Sequence, residues 1–230
     1  MSFPQPSEYD DAIQNPGSAF ADAELKQGFN DGPMLLGVHG PVASGNFAVV
    51  YRFRCGARRY AVKCFTRQPP NDQAQRFSSI HNHLQSSRLN CATEFQFIPR
   101  GIRVRGTYYP ILKMEWLEAP TLLDFVPRNI HDREVFRQLS EAFLAVCGEL
   151  RKNQIAHGDL QHGNLLVLNG GLKIIDYDGM CVPGTTGLRS QEDGLPHYQH
   201  PCRRGGRLAP NLDHFPSLVI WISLYPERRD

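Results

Sequence analysis

The 230-residue chain carries 25 Lys and Arg against 23 Asp and Glu, a formal net charge of +2, with 41% hydrophobic and 21% charged residues. That is the composition of one folded domain or two small lobes, and so small a net charge excludes a field strong enough to make nucleic acid or an anionic membrane the main partner. Six cysteines without a Cys-x-x-Cys pair, a start with neither a basic nor an apolar leader, and a longest apolar run far short of ~20 residues point to a cytoplasmic protein with reduced thiols and no membrane span.

Residues 1–33 hold four prolines and six acids against one base, Lys26. They read as a partly ordered lead-in strapped to the body, with one short helix around 22–27. From about Leu35 the pattern turns to strand. Residues 47–53 and 59–65 are rich in Val, Tyr and Phe and predict an antiparallel hairpin, and 101–116 predict another, turning at Gly106-Thr107. Between the hairpins, 72–89 predict a helix. Val135, Leu139, Phe143, Val146 and Leu150 recur at helical spacing behind Asp132, a potential cap. Asn169-Gly170 between two short apolar runs predicts a tight hairpin, 179–210 a long irregular segment, and 213–224 a final apolar helix. Hairpins first and helices second, joined at about 115–121, give a two-lobed layout.

The densest chemistry lies in His157-Gly-Asp-Leu-Gln-His-Gly-Asn164, ahead of a hairpin that exits into Asp176-Tyr-Asp-Gly179. Phosphoryl transfer from ATP requires one carboxylate to accept or orient a hydroxyl, and an amide plus a second carboxylate to hold Mg²⁺ against phosphates. A carboxylate about 4 Å from one phosphate charge is repelled by roughly 4 kcal/mol at an effective dielectric of ~20. Asp176 can therefore sit beside a triphosphate only with a cation between them. On this reading Asp159 is the base or hydroxyl-positioning group, and Asn164 and Asp176 are the metal ligands.

These runs resemble the protein-kinase-like superfamily, whose catalytic loop reads His-x-Asp-x-x-x-x-Asn and whose metal motif is Asp-Phe-Gly. They look most like bacterial serine/threonine protein kinase-like proteins with His-Gly-Asp-Leu-Gln-His-Gly-Asn and Asp-Tyr-Asp-Gly-Met. The resemblance spans about 35–224 and implies an α+β, two-lobed fold with ATP and Mg²⁺ as cofactors. Behind the lead-in (1–33) it implies a small antiparallel-sheet N-lobe over 34–115 and a mainly helical C-lobe over 116–230. In Arg59-Tyr-Ala-Val-Lys63, Ala61 is implied to pack on adenine and Lys63 to contact the α- and β-phosphates. Period-2 alternation puts Ala61 and Lys63 on one strand face and Tyr60, Val62 and Cys64 on the other. Ala43, Ser44, Gly45, Asn46, Phe47 and Val50 align with the glycine-rich loop, of which only the middle glycine, Gly45, is kept. Met114, Glu115 and Leu117 fall in the implied hinge, where adenine bonds backbone. Asp213 matches an aspartate that braces the catalytic-loop backbone, and His200-Pro201 the end of the activation segment.

The expected activity is phosphoryl transfer to Ser or Thr hydroxyls of a protein substrate. A pseudokinase or nucleotide-binding module and a small-molecule phosphotransferase are the alternatives. The expected αC helix carries no Glu to pair with Lys63, leaving His83 or Gln85 as facing residues, and Ala43 and Ala48 replace two loop glycines. Asp178 replaces the Gly of Asp-Phe-Gly, as in several small-molecule phosphotransferases. The chain stops soon after Asp213, so the C-lobe reads as truncated and the apolar stripe between Leu218 and Leu224 as a partner site or an aggregation liability. Weaker readings are metal binding by His81 and His83 or by His157 and His162, and a basic patch of Arg203, Arg204 and Arg207. Thr185, Thr186 and Ser190 are candidate phosphosites by position alone.

Overall fold

Alternating β-branched and aromatic residues build the first half of the chain into an antiparallel sheet, and helical periodicity builds most of the second. The computed structural model describes residues 2–35, 37–45, 47–68, 72–190, 194–203 and 206–225. The chain divides into two units, Met1–Ser78 with Glu94–Leu117, and Ser79–Thr93 with Glu118–Asp230.

In the first unit, β1 (Phe29–Asn30), β2 (Met34–Leu35), β3 (Val38–His39) and β4 (Ala43–Ser44) are short, while β5 (Ala48–Cys55) and β6 (Arg58–Phe65) form a long hairpin. After α4 (Gln73–Ser87), which runs from the first unit into the second, come β7 (Phe95–Val104) and β8 (Thr107–Glu115). Arg105 and Gly106, at φ 47° and 83°, make the two-residue turn between them, one position ahead of the turn the sequence predicts. The sheet order is β1-β5-β6-β8-β7, with β4 also on β5.

Residues 1–33 are more than a strap. They form α1 (Pro6–Ile13), α2 (Pro16–Ala19) and α3 (Ala23–Lys26), of which only α3 matches the expected helix. Pro6 opens α1, and the Gln5 amide donates to Glu8 Oε2 at 2.7 Å. Tyr9, Ile13, Phe20 and Leu25 are buried in one cluster with Val49, Tyr51, Phe53, Val62 and Cys64 of the sheet. Burial of those four lead-in side chains stabilises by about 1.5–3 kcal/mol each as an upper bound. Polar bonds fix the register: Tyr9 Oη donates to the Phe65 carbonyl and Tyr51 Oη to Asp10, both at 2.7 Å. Lys113 Nζ, on the same sheet face, reaches Asp22 at 3.0 Å and Glu24 at 2.7 Å.

The second unit contains α5 (Leu122–Arg128), α6 (Arg133–Lys152), the hairpin β9 (Leu165–Leu168) and β10 (Gly171–Ile174), and α7 (His214–Leu224). Asp132 Oδ1 accepts the Glu134 and Val135 amides at 3.0 and 3.1 Å, which makes it the cap that starts α6. Phe136, Leu139, Phe143, Val146 and Leu150 are its buried face. Asn169 and Gly170, at φ 51° and 76°, form the predicted tight turn. On α7, Ile220 and Leu224 are buried whereas Leu218 and Ile222 are exposed. Among the described residues no helix is long and apolar enough to cross a membrane.

Candidate active site

The loop after α6 is held by its backbone. Ala156 and Cys181 exchange two backbone hydrogen bonds, at 3.0 and 2.8 Å, tying the loop to the segment beyond Asp176. The buried Asp213 carboxylate accepts the His157 amide at 2.5 Å and the Gly158 amide at 2.9 Å, the brace that the sequence implied. Burial pushes the Asp213 carboxyl above the usual carboxylate range, against the opposing pull of His157 and the two amides. Gly158 has φ +80°, and a Cβ there would run into the Gly179 carbonyl. The two loops thus pack glycine on glycine.

Within that frame Asp159 Oδ2 accepts Gln161 Nε2 at 2.9 Å and Asn164 Nδ2 at 3.1 Å. Asn164 Nδ2 also donates to the Asp159 carbonyl at 2.8 Å, so the acceptor end of that amide, Oδ1, is the atom left for a cation. The Asn164 carbonyl in turn accepts the Ile175 amide at 3.1 Å, which brings Asp176 next to the same loop. Asp176 itself is left-handed, at φ 65° and ψ 81°. That conformation costs an L-residue roughly 1–2 kcal/mol, and such strain collects at functional sites. The fully buried Tyr177 anchors the turn: its hydroxyl accepts the Thr93 amide at 2.7 Å and faces the Thr93 and Ile174 carbonyls at 3.0 and 3.1 Å. Asp159, Asn164 and Asp176 therefore belong to one braced pair of loops. Among the described residues no three His, Cys, Asp or Glu side chains converge as a metal site by themselves. An amide oxygen and a carboxylate are the hard donors that Mg²⁺ takes together with phosphate oxygens.

In the first unit Ala43 pairs with Val50, Val50 with Lys63, Lys63 with Leu112, and Ala61 with Met114. Directly opposed residues of an antiparallel sheet share a face. Ala43, Val50, Ala61, Lys63 and Met114 therefore share the face opposite the lead-in, and Ser44, paired with Val49, lies on the other. Phe47 is exposed beneath the Arg67 guanidinium, 5.1 Å from its ring centre, and Asn46 lies outside the described residues. The Gly45 amide donates to the Ala48 carbonyl at 2.9 Å, and a Cβ on Gly45 would find its nearest neighbour 3.9 Å away. The turn itself does not require glycine there. At the implied hinge the Glu115 amide bonds the Glu94 carbonyl at 3.1 Å and the Trp116 amide the Arg59 carbonyl at 2.9 Å. The Leu117 amide, by contrast, is in no hydrogen bond among the described residues.

Several expectations are corrected. His83 does not wait as a facing residue: its Nε2 lies 2.8 Å from the Asn153 carbonyl. His162 bridges Tyr198 Oη at 2.6 Å and Ser223 Oγ at 2.8 Å, so both ring nitrogens serve the fold rather than a metal. Thr185 is fully buried with its hydroxyl on the Val182 backbone, which removes it as an accessible phosphosite. Arg203 is no patch residue either, since it donates to Gln199 Oε1 and, at 3.4 Å, to the Gly158 carbonyl; Arg204 lies outside the described residues. Gln161, Tyr177 and Gln199 were not singled out from the sequence. Gln161 could have been found from its place two residues after Asp159; Gln199 had no local signal.

Some 1800 chains of known structure match this one. The Cydia pomonella granulovirus kinase PK-1 superposes with a TM-score of 0.61, covering 87% of this chain and 69% of that one at 18% identity. The fold is that of a protein kinase. Kinase-fold N- and C-lobes correspond to a sheet unit and a mainly helical one, the two kinds of unit present here. No family model matches the sequence, and no curated protein does.

Proposed function

We propose that this kinase-fold protein transfers the γ-phosphoryl group of ATP, with Mg²⁺, to a Ser or Thr hydroxyl of a protein substrate. The observation that carries the reading is the Asp159–Asn164 pair, joined at 3.1 Å and bonded through the Asn164 carbonyl to the residue before a left-handed Asp176. Asp159 receives or orients the acceptor hydroxyl. Asn164 Oδ1 and the Asp176 carboxylate hold the cation, which when bound offsets phosphate charge as transfer proceeds. Lys63 neutralises the α- and β-phosphates, and Val50, Ala61 and Met114 share its face as the apolar bed for adenine. Glu115 and Leu117 offer backbone groups to the base, and Ala43, Ser44, Gly45, Asn46 and Phe47 form the phosphate-side loop. A glycine that its own turn does not need fits close approach by a ligand.

Asp176→Asn is the test. It is expected to abolish Mg·ATP-dependent radiolabel transfer while leaving the thermal unfolding profile in place. Undiminished turnover in that variant rejects the metal role. A second reading, a nucleotide-binding module with little catalysis, is favoured by the absence of any acid along α4. Mg²⁺-dependent nucleotide binding without transfer to any protein acceptor is the result that selects it.

A further inference from the structure

Among the described residues, two buried polar atoms of the second unit, Asp159 Oδ1 and Gln199 Nε2, have no hydrogen-bond partner. They face the same point. A Cβ built on Gly194, which has φ +71°, would come 2.8 Å from Asp159 Oδ1 and into contact with Gln199 Nε2. One atom can only accept and the other can only donate. Leaving both unpaired in the interior is unfavourable, whereas pairing them satisfies each.

The surroundings fix which end of the Gln199 amide faces Asp159. Arg203 donates to Gln199 Oε1 and to the Gly158 carbonyl, so the amide oxygen is turned to the guanidinium and the nitrogen to the carboxylate. The neighbouring Tyr198 is held in turn, its hydroxyl 2.6 Å from His162 Nδ1, with His162 Nε2 2.8 Å from Ser223 Oγ. Residues 198 and 199 are thereby tied to the loop on both sides of Asp159. The last torsion of a glutamine is broad, so the Gln199 amide plane is free to turn toward the carboxylate.

We propose that Gln199 is a positioning residue for Asp159: its Nε2 donates to Oδ1 while Arg203 holds its Oε1, and position 194 is glycine because a side chain there would part the two. With Gln161 and Asn164 on Oδ2, three amides then set the plane of the carboxylate and aim the second lone pair of Oδ1. That this aim serves an acceptor hydroxyl rests on the function proposed above; the contact itself does not.

The contact is read by NMR of the Gln199 side-chain amide. One Nε2 proton is expected to be shifted downfield and slow to exchange in the wild type, and to lose both properties in Asp159→Ala and in Gly194→Ala while the remaining backbone spectrum is retained. An amide that exchanges freely in the wild type, or is unmoved in Asp159→Ala, overturns the proposal. The role is read by kinetics of Gln199→Leu, which keeps the bulk and loses the donor. A fall in kcat on the order of ten- to a hundredfold at unchanged KM for nucleotide is expected, as for a slightly misaimed reacting group. Wild-type turnover in Gln199→Leu removes the positioning role and leaves the proposed activity standing. A wild type with the protected amide but no transfer supports the contact and removes the activity instead.

Discussion

Tyr177→Phe isolates one hydroxyl at the turn that presents Asp176. The ring stays, so packing in this fully buried site is kept and only the polar bonds are lost. Three groups meet that hydroxyl, and they fare differently. The Ile174 carbonyl retains a donor, because Thr93 Oγ1 also reaches it at 3.1 Å. The Thr93 amide, in a buried residue, loses its acceptor at 2.7 Å, and the Thr93 carbonyl loses a shared donor at 3.0 Å. An unpaired buried N–H costs about 1–3 kcal/mol and a shared hydrogen bond less than a full one. The sum is about 2 kcal/mol, roughly a thirtyfold rise in the unfolding constant and a Tm lower by about 4–8 °C. Burial drives the phenol well above its ordinary pKa, so the effect is expected to be flat across the neutral and mildly alkaline range. Urea denaturation followed by Trp221 fluorescence, in a Trp116→Phe background, reads the second unit directly. A Tyr177→Phe loss below about 0.5 kcal/mol would mean that the Thr93 amide finds another partner, and the anchoring role would fall.

Two further outcomes test the packing and the electrostatics. Gly158→Ala combines a φ of +80° with a clash on the Gly179 backbone, whereas Gly170→Ala has φ +76° and open space; the first is expected to lose at least ~3 kcal/mol and the second ~1–2 kcal/mol in urea, and equal losses would refute the loop-on-loop contact. Glu24 is held below its usual carboxyl value of 4.5 by the hydrogen bond from Lys113, with Tyr60 adding to it against desolvation. Its stabilisation is therefore present above pH 4.5 and disappears as the pH falls through the lowered folded-state value. Because the carboxyl is half exposed, Glu24→Gln is expected to cost only a few tenths of a kcal/mol at pH 7, with wild type and variant converging once the carboxyl is protonated in the folded state; a gap that persists in acid contradicts the assignment.

The elements legible in the sequence were those with long periodic signals. The Ala48–Cys55 and Arg58–Phe65 hairpin declares itself by alternation, Arg133–Lys152 by its apolar stripe and Asp132 cap, and the second-unit hairpin by Asn169-Gly170. The loop from His157 to Asn164 was readable because its polar residues are compressed into one short stretch. Of the lead-in only α3 was, since α2 has four residues and α1 eight, too few turns for a periodic stripe to stand out from a Pro- and Asp-rich background. α5 hid behind Pro127, which reads as a breaker yet sits in its last turn. The approach of Gln199 to Asp159 joins positions 40 apart in the chain through a left-handed glycine, and neither spacing nor composition encodes such a contact.

The helices before β1 matter for anyone choosing where to begin an expression fragment. Starting at the first strand of the kinase-like pattern would leave the Val49, Tyr51, Phe53 and Val62 surface without the Tyr9, Ile13, Phe20 and Leu25 side chains that seal it, and Lys113 without Asp22 and Glu24. Insoluble material from so clipped a clone would report a stripped sheet rather than an inactive protein, and an affinity tag belongs ahead of Phe3, whose ring already packs edge-on against Tyr109 at 5.2 Å.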